Sequence, residues 1–206
     1  ANGSATLVGD ASLNRVSVSA FGGAGATGSL TLRDGNVSVE NLLVGEVFTL
    51  GGVPDGRLAL ENSLLDVNSM VLADGATLTM QFNGLARGTE FGAIDAGNFG
   101  VVGGDLELDF QFLPTVGDQF DLVRIDSSGS PIVGDFQNVT ASGLPEGLQF
   151  ELNRHSNDPN FGDILELSII PEPSYGGTGF RRFCLERPAS EATAASQLKG
   201  ITSLGG

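Results

Sequence analysis

The chain has 206 residues and a formal net charge of −15, and 40% of its residues are hydrophobic while only 17% are charged, which excludes a disordered chain and a coiled coil. Residues 1–173 carry six arginines against 23 carboxylates, a balance that argues against nucleic acid as a partner. The same residues contain no lysine and no cysteine, which excludes disulfides and thiolate metal sites there. No apolar run reaches the roughly 18 residues of a membrane span.

Short strands joined by tight turns are indicated by the 31 glycines, because glycine supplies the positive φ angles that turns need. The first clear pattern, Ser29–Gly45, alternates apolar and polar residues on both sides of Asp34-Gly35. Such alternation is typical of a β-strand with one buried face, and Asp-Gly is a common turn pair. We therefore predict two strands around a turn at Asp34-Gly35.

The chain also matches itself when it is shifted by 28 residues. A later match aligns Leu78 and Met80 with Leu106 and Leu108. A repeat of this length, built from short strands, predicts a β-solenoid in which each coil stacks its apolar stripe on the next. A β-sandwich of hairpins with similar lengths is the alternative. The first match aligns Leu30, Leu32, Val37, Val39 and Leu43 with Leu58, Leu60, Leu65, Val67 and Val71.

Phenylalanine marks a change along the chain, because eleven of the 13 lie after residue 81. Small aliphatic side chains suit a narrow coil, whereas a wider β core in the C-terminal part is indicated by Phe82, Phe91, Phe99, Phe110, Phe112 and Phe120. We expect this part to cover the open edge of the stack. The last strand of the 1–173 body should end at Ile170, because Pro171 cannot donate to a ladder.

One loop has the composition of a calcium site. Asn157, Asp158, Asn160 and Asp163 lie close together in the segment NRHSNDPNFGD. Their oxygens are the ligands that calcium prefers, but the spacing is not that of an EF-hand. Asn, Asp, Pro and Gly are also ordinary turn residues. The sequence therefore leaves two interpretations open, a calcium site and a turn.

Catalytic chemistry has a weaker basis. Asp105, Glu107 and Asp109 share one face of the strand DLELDF and could act on a sugar, although acidic stripes are more often a solvated face. His155 is the only histidine, and we interpret it as a surface residue. The loop FGGAGATGS has no lysine before its serine, so it does not match a phosphate-binding loop. We predict no catalytic residues and no cofactor other than calcium.

Residues 174–206 differ from the body. They contain four basic residues against two acids, together with the only lysine and the only cysteine. The segment YGGTGF indicates a flexible link. PASEATAASQLKG predicts a short helix, with Ser190 as its N-cap and Gly200 as its stop. We therefore expect a flexible basic tail after the body.

The end of the body resembles the PEP-CTERM exported proteins of Gram-negative bacteria. The triplet Pro171-Glu172-Pro173 follows a glycine-rich body without lysine or cysteine. In that family the triplet precedes a hydrophobic helix and an arginine-rich end, which an exosortase recognises and processes. Arg181 and Arg182 resemble that basic end, but SYGGTGF stands where the hydrophobic helix would be.

The body is also similar to the autotransporter-associated β-helical repeats that are common in that family. The similar phrases are GTEF (Gly88–Phe91), GGDLELDF (Gly103–Phe110) and PTVGDQFDLV (Pro114–Val123). The two resemblances together imply a bacterial protein that is secreted or held at the cell surface.

A non-catalytic structural or adhesive role at the cell surface or in the extracellular matrix is the function we expect. The partners would be extracellular polysaccharide or surface proteins, with self-association of the acidic scaffold as a further interaction. Two other functions stay open: a carbohydrate-active enzyme built on a β-helix, and a repeat fragment of a larger adhesin. The low number of dispersed arginines in the body argues against an acidic polysaccharide as substrate.

Overall fold

The computed structural model describes residues 3–18, 27–45, 55–101, 103–126, 131–156, 158 and 161–173. Within these residues the protein is all-β and contains no helix. Its strands form one sheet that winds into a β-solenoid of about four turns. The predicted solenoid is therefore confirmed, and the alternative sandwich is wrong.

The sheet is formed by eleven strands, and the parallel pairs among them stack successive coils. Strands β3 and β4 pair in parallel along almost their whole lengths. The strands are β1 (Gly3–Val8), β2 (Ala11–Val18), β3 (Thr27–Val44), β4 (Asp55–Leu72), β5 (Ala76–Phe82), β6 (Ala93–Val101), β7 (Asp105–Phe110), β8 (Gln119–Ile125), β9 (Val139–Ser142), β10 (Leu148–His155) and β11 (Ile164–Pro171).

The register of the coils confirms the 28-residue match. Leu30 pairs with Leu58 and Leu32 with Leu60 in the β3–β4 ladder, so equivalent leucines lie in adjacent coils. The later match is confirmed in the same way, because Leu78 pairs with Leu106 where β5 meets β7. Inward residues of one coil stack on the equivalent inward residues of the next coil, so the core is a continuous apolar column.

Asp34-Gly35 does not form a hairpin turn, which corrects the sequence interpretation. β3 runs through it as one strand, and both of its halves pair in parallel with β4. Asp34 instead makes a corner of the coil, with a φ of 54° in the left-handed region that Asp and Asn tolerate better than most residues. Alternation on both sides of a turn does not distinguish a corner from a hairpin.

Hydrogen bonds between side chains connect this corner to the corners of the following coils. Asn62 in β4 occupies the position equivalent to Asp34 and has a φ of 47°. Its Nδ2 donates to Oδ1 of Asp34 at 3.2 Å, and Nδ2 of Asn83 donates to Oδ1 of Asn62 at 2.7 Å. The left-handed corners are thus stacked, and their polar side chains satisfy one another.

The core changes along the stack from aliphatic to aromatic. Leu58, Leu60 and Leu65 are completely buried in the aliphatic part. Further along, the ring of Phe82 lies 4.6 Å from that of Phe110 and 5.0 Å from that of Phe120, measured between centroids. Phe91 joins this cluster from the loop at 83–92, which separates β5 from β6. The wider C-terminal part is therefore confirmed, and the inserted loop supplies part of its extra width.

The last strands join the sheet in antiparallel fashion, in the order β8, β11, β10. β11 extends to Pro171, one residue beyond the predicted end at Ile170. The reason is that Pro171 lies opposite Leu148, and the next amide, that of Glu172, donates to the carbonyl of Gly147 at 2.8 Å. Pairing therefore continues past the proline although the proline itself cannot donate.

The sheet lies in one compact unit, Ala1–Glu172. The second unit is Pro173–Gly206, of which only Pro173 belongs to the described residues. The flexible link and the short helix that we predict after the body therefore lie outside the part that the structure describes. None of the described segments is a helix long and apolar enough to cross a membrane.

Close stacking of the coils leaves no room for a side chain at Gly56. A Cβ placed there would lie 2.3 Å from the carbonyl oxygen of Val18 and 2.3 Å from the amide nitrogen of Gly45. We expect Gly56→Ala to lower the free energy of unfolding by about 2 kcal/mol, because backbone atoms cannot move aside cheaply. Urea unfolding measures this change.

Gly3→Ala is the matched control, since a Cβ at Gly3 meets no atom within 4 Å. We expect this control to change stability by less than about 0.5 kcal/mol. Equal effects of the two substitutions would contradict the close approach of the coils at Gly56.

Candidate functional site: a polar groove along the stack

Parallel register arranges the outward side chains of the sheet in columns that run along the stack. One such column crosses five strands, because each of its members pairs with the next in a parallel ladder. Neighbouring members lie about 4.8 Å apart along the stack. The column consists of Ser12, Ser38, Asp66, Asp95 and Arg124.

A second column lies where each coil bends. Inward positions normally recur every two residues, but between Val39 and Leu42, and between Val67 and Met70, two consecutive residues are not buried. The ladder pairing is also interrupted at Glu40. The bend places Asn14, Glu40, Asn68, Gly97 and Asp126 beside the first column, and the two columns line a groove of about 870 Å³.

One end of the groove has an aromatic residue. The guanidinium carbon of Arg124 lies 4.6 Å from the centroid of the Phe161 ring, a cation–π contact. The same guanidinium forms an ion pair with Asp121 at 2.8 Å. Arg124 is therefore already neutralised by a neighbour and presents little net positive charge to a ligand.

A second arginine reaches the groove wall from the loop at 83–92. Arg87 forms an ion pair with Oδ1 of Asp95 at 2.8 Å, and its guanidinium donates to the carbonyls of Ile94 and Asp121 at 2.8 and 3.0 Å. Burial lowers the pKa of the Arg87 guanidinium below its usual value, and the charge of Asp95 opposes that effect. Arg87 thus holds Asp95 in place, a role that no sequence motif indicated.

Two carboxylates of the groove have no such partner. Asp66 and Glu40 make no hydrogen bond and no ion pair with any residue that the structure describes. Asp66 also lies between Ser38 and Asp95 in the ladder, so its nearest charged neighbour in the column carries the same sign. Like charges opposite each other are unfavourable, but the ion pair of Asp95 with Arg87 offsets part of this repulsion, and both Asp66 and Glu40 are exposed to solvent.

The acidic strand β7 is different. Asp105 accepts a hydrogen bond from Nδ2 of Asn138 at 2.8 Å. Glu107 accepts one from Thr79 at 3.0 Å. Asp109 accepts one from the hydroxyl of Ser142 at 2.9 Å and another from Gln111 at 2.8 Å. The stripe that suggested catalysis does share one face, but each carboxylate is bound to a neighbouring polar side chain.

The predicted calcium loop is only partly described, because Asn157 and Asn160 lie outside the described residues. Oδ1 of Asp158 accepts the amide of Phe161 at 3.1 Å, which is turn chemistry. Asp163 is buried, and its Oδ2 accepts the amide of Ile132 at 3.1 Å. The described residues contain no group of three His, Cys, Asp or Glu side chains arranged around a metal position.

The calcium site therefore stays a prediction, and so does the turn. A rise in melting temperature that calcium gives and magnesium does not, and that Asp158→Ala abolishes, would establish the site. Equal small rises with both ions, unchanged in Asp158→Ala, would leave the loop as a turn.

The residues that carry the family resemblance have structural roles. In PTVGDQFDLV, Gly117 has a φ of 95°, and Asp118 accepts hydrogen bonds from the amide and the hydroxyl of Thr115 at 2.8 and 3.1 Å. In GTEF, Phe91 is buried in the aromatic cluster. The triplet Pro171-Glu172-Pro173 is exposed at the end of the last strand, and its first residue, Pro171, is the last residue of β11. His155 is half-exposed and lies 3.6 Å from Glu166, as expected of a surface residue.

The chain matches no protein-family model. No curated protein matches it significantly either.

The Arg87–Asp95 pair leads to a stability prediction. We expect Arg87→Met to lower the free energy of unfolding by about 2 kcal/mol, because it leaves two carbonyls without their donor and the buried Oδ1 of Asp95 without its ion-pair partner. Chemical unfolding of the variant measures this loss.

Arg33→Met is the control, since Arg33 also pairs with a carboxylate, that of Glu61, but is half-exposed. This exposed pair should contribute less than about 1 kcal/mol. A larger loss for Arg33→Met than for Arg87→Met would show that burial of the arginine is not what matters.

Proposed function

We propose that this protein is a non-catalytic structural or adhesive component of a bacterial cell surface or extracellular matrix, and that it contacts polysaccharide or surface proteins there. The observation that carries the proposal is that outward polar side chains form hydrogen bonds with one another within the stack. Carboxylates such as Glu107 and Asp109 accept hydrogen bonds from hydroxyls of neighbouring coils. These hydrogen bonds link one coil to the next and thereby stiffen the scaffold.

Export and surface display complete the proposal. The triplet Pro171-Glu172-Pro173 is solvent-exposed at the end of the described sheet, a position accessible to a processing enzyme. This placement supports a PEP-CTERM-type boundary between an autotransporter-associated β-helical body and a separate segment. A fragment of a larger adhesin would have the same body, and self-association would extend the scaffold through further stacking.

A carbohydrate-active enzyme is the second candidate, and one observation favours it. Asp66 and Asp95 lie in register on adjacent strands inside the groove, and glycosidases use pairs of carboxylates. Against this function, the carboxylate of Asp95 already forms an ion pair with Arg87 and is therefore not available as the second carboxylate beside Asp66.

Incubation with polysaccharide extracted from bacterial cell surfaces separates the two functions. The scaffold proposal predicts that the protein sediments with insoluble polysaccharide, or is retained on immobilised polysaccharide, and that no new reducing ends or unsaturated sugars appear. Release of products that is lost in both Asp66→Asn and Asp95→Asn would overturn the proposal in favour of the enzyme. Failure to bind any surface polysaccharide or surface protein would contradict the adhesive role.

A further inference from the structure

We infer that the polar groove binds an uncharged oligosaccharide that lies along the axis of the solenoid. This inference rests on the proposed surface function and deepens it, because it names the ligand class and the residues that recognise it. The groove has a volume of about 870 Å³, within the range of ligand sites in proteins.

The direction of the groove argues for a ligand that is recognised by side chains. Its two columns run across the strands, so a ligand lying in it would be perpendicular to them. Most of the floor, formed by β3, β4 and β6, consists of parallel strands whose backbone groups pair on both sides, whereas β2 at one end pairs only with β3. A peptide that added to β2 as a further strand would lie along that strand and not along the groove, so strand addition would not fill the groove.

The polar groups of the groove match hydroxyl groups. Asp66 and Glu40 are unpartnered carboxylates and accept hydrogen bonds only. The hydroxyl of Ser38 and the side-chain amide of Asn68 can both donate and accept. A sugar hydroxyl also donates and accepts, so a chain of sugar residues can satisfy all of these groups. Asp66 is exposed to solvent, so such a ligand would replace water as its hydrogen-bond partner.

Charge excludes acidic glycans from this groove. Its lining contains four carboxylates, and its arginine, Arg124, is already paired with Asp121. Asp95 is likewise paired, with Arg87, but Glu40 and Asp66 are not, so an anionic ligand would meet repulsion at these two carboxylates. At the far end, the ring of Phe161, one face of which lies against the Arg124 guanidinium, adds an apolar side-chain surface against which C–H groups of a sugar ring can pack. The carboxylates that line the groove are Glu40, Asp66, Asp95 and Asp126.

Calorimetric titration tests the inference with neutral hexasaccharides of glucose, mannose, galactose and xylose, and with hexagalacturonate as the acidic probe. We expect at least one neutral hexasaccharide to bind and hexagalacturonate not to bind. Asp66→Ala and Phe161→Ala should each weaken that binding by about tenfold, the change expected from the loss of one good contact. Asp66→Ala should leave the melting temperature unchanged or raise it, because Asp66 has no partner in the described structure to lose.

Glu151→Ala is the matched control, because Glu151 is an exposed carboxylate on β10 that does not line the groove. It should bind as tightly as the unaltered protein. Binding of a neutral hexasaccharide that is equally tight in Asp66→Ala, Phe161→Ala and Glu151→Ala would place the site elsewhere and overturn the inference.

A basic oligopeptide, hexalysine, is a second probe. Binding of hexalysine through Asp66 without binding of any neutral sugar would show that the groove is an electrostatic site for cations, and the inference would be wrong. If the protein still sedimented with surface polysaccharide in that case, the proposed scaffold function would stand although the inference about the groove had failed.

Discussion

Stacking of each coil on the next in parallel register is the interaction on which the rest of the structure depends. A single coil such as β3 is one strand thick, and it buries its leucines and valines only because β1, β2 and β4 cover it on both sides. Backbone hydrogen bonds fix the register, and the register in turn stacks like residues on like residues. The core column, the corner at Asp34 and Asn62, and both columns of the groove all follow from this arrangement.

The same register creates an electrostatic difficulty in a chain with a net charge of −15, because it brings outward carboxylates close together. Most are accommodated by a polar neighbour, as Glu107 is by Thr79 in the adjacent coil and Asp95 is by Arg87 in the loop at 83–92. Asp66 and Glu40 are the exceptions in the groove. Both are exposed to solvent, and the ligand that we propose would contact them there.

Much of the fold could be predicted from the sequence, since the 28-residue match identifies residue pairs such as Leu30 with Leu58. The groove could not be predicted, because its columns continue into strands beyond the loop at 83–92. This loop has no counterpart in the 28-residue repeat and changes the number of residues between paired positions. Arg87 was missed for the same reason, as it enters from that loop. The Asp34-Gly35 corner was misinterpreted because local alternation carries no information on whether the next segment pairs with the same coil or with a neighbouring one.

Backbone nuclear Overhauser effects test the stacked register most directly, without any substitution. Parallel stacking predicts contacts between residues whose numbers differ by 28, such as backbone protons of Leu32 with those of Leu60, along the whole β3–β4 ladder. A hairpin at Asp34-Gly35 would give contacts between residues whose numbers have a constant sum, such as Leu32 with Val37. Contacts between residues whose numbers have a constant difference are the predicted result. Contacts between residues whose numbers have a constant sum would contradict the solenoid and every column of side chains derived from it.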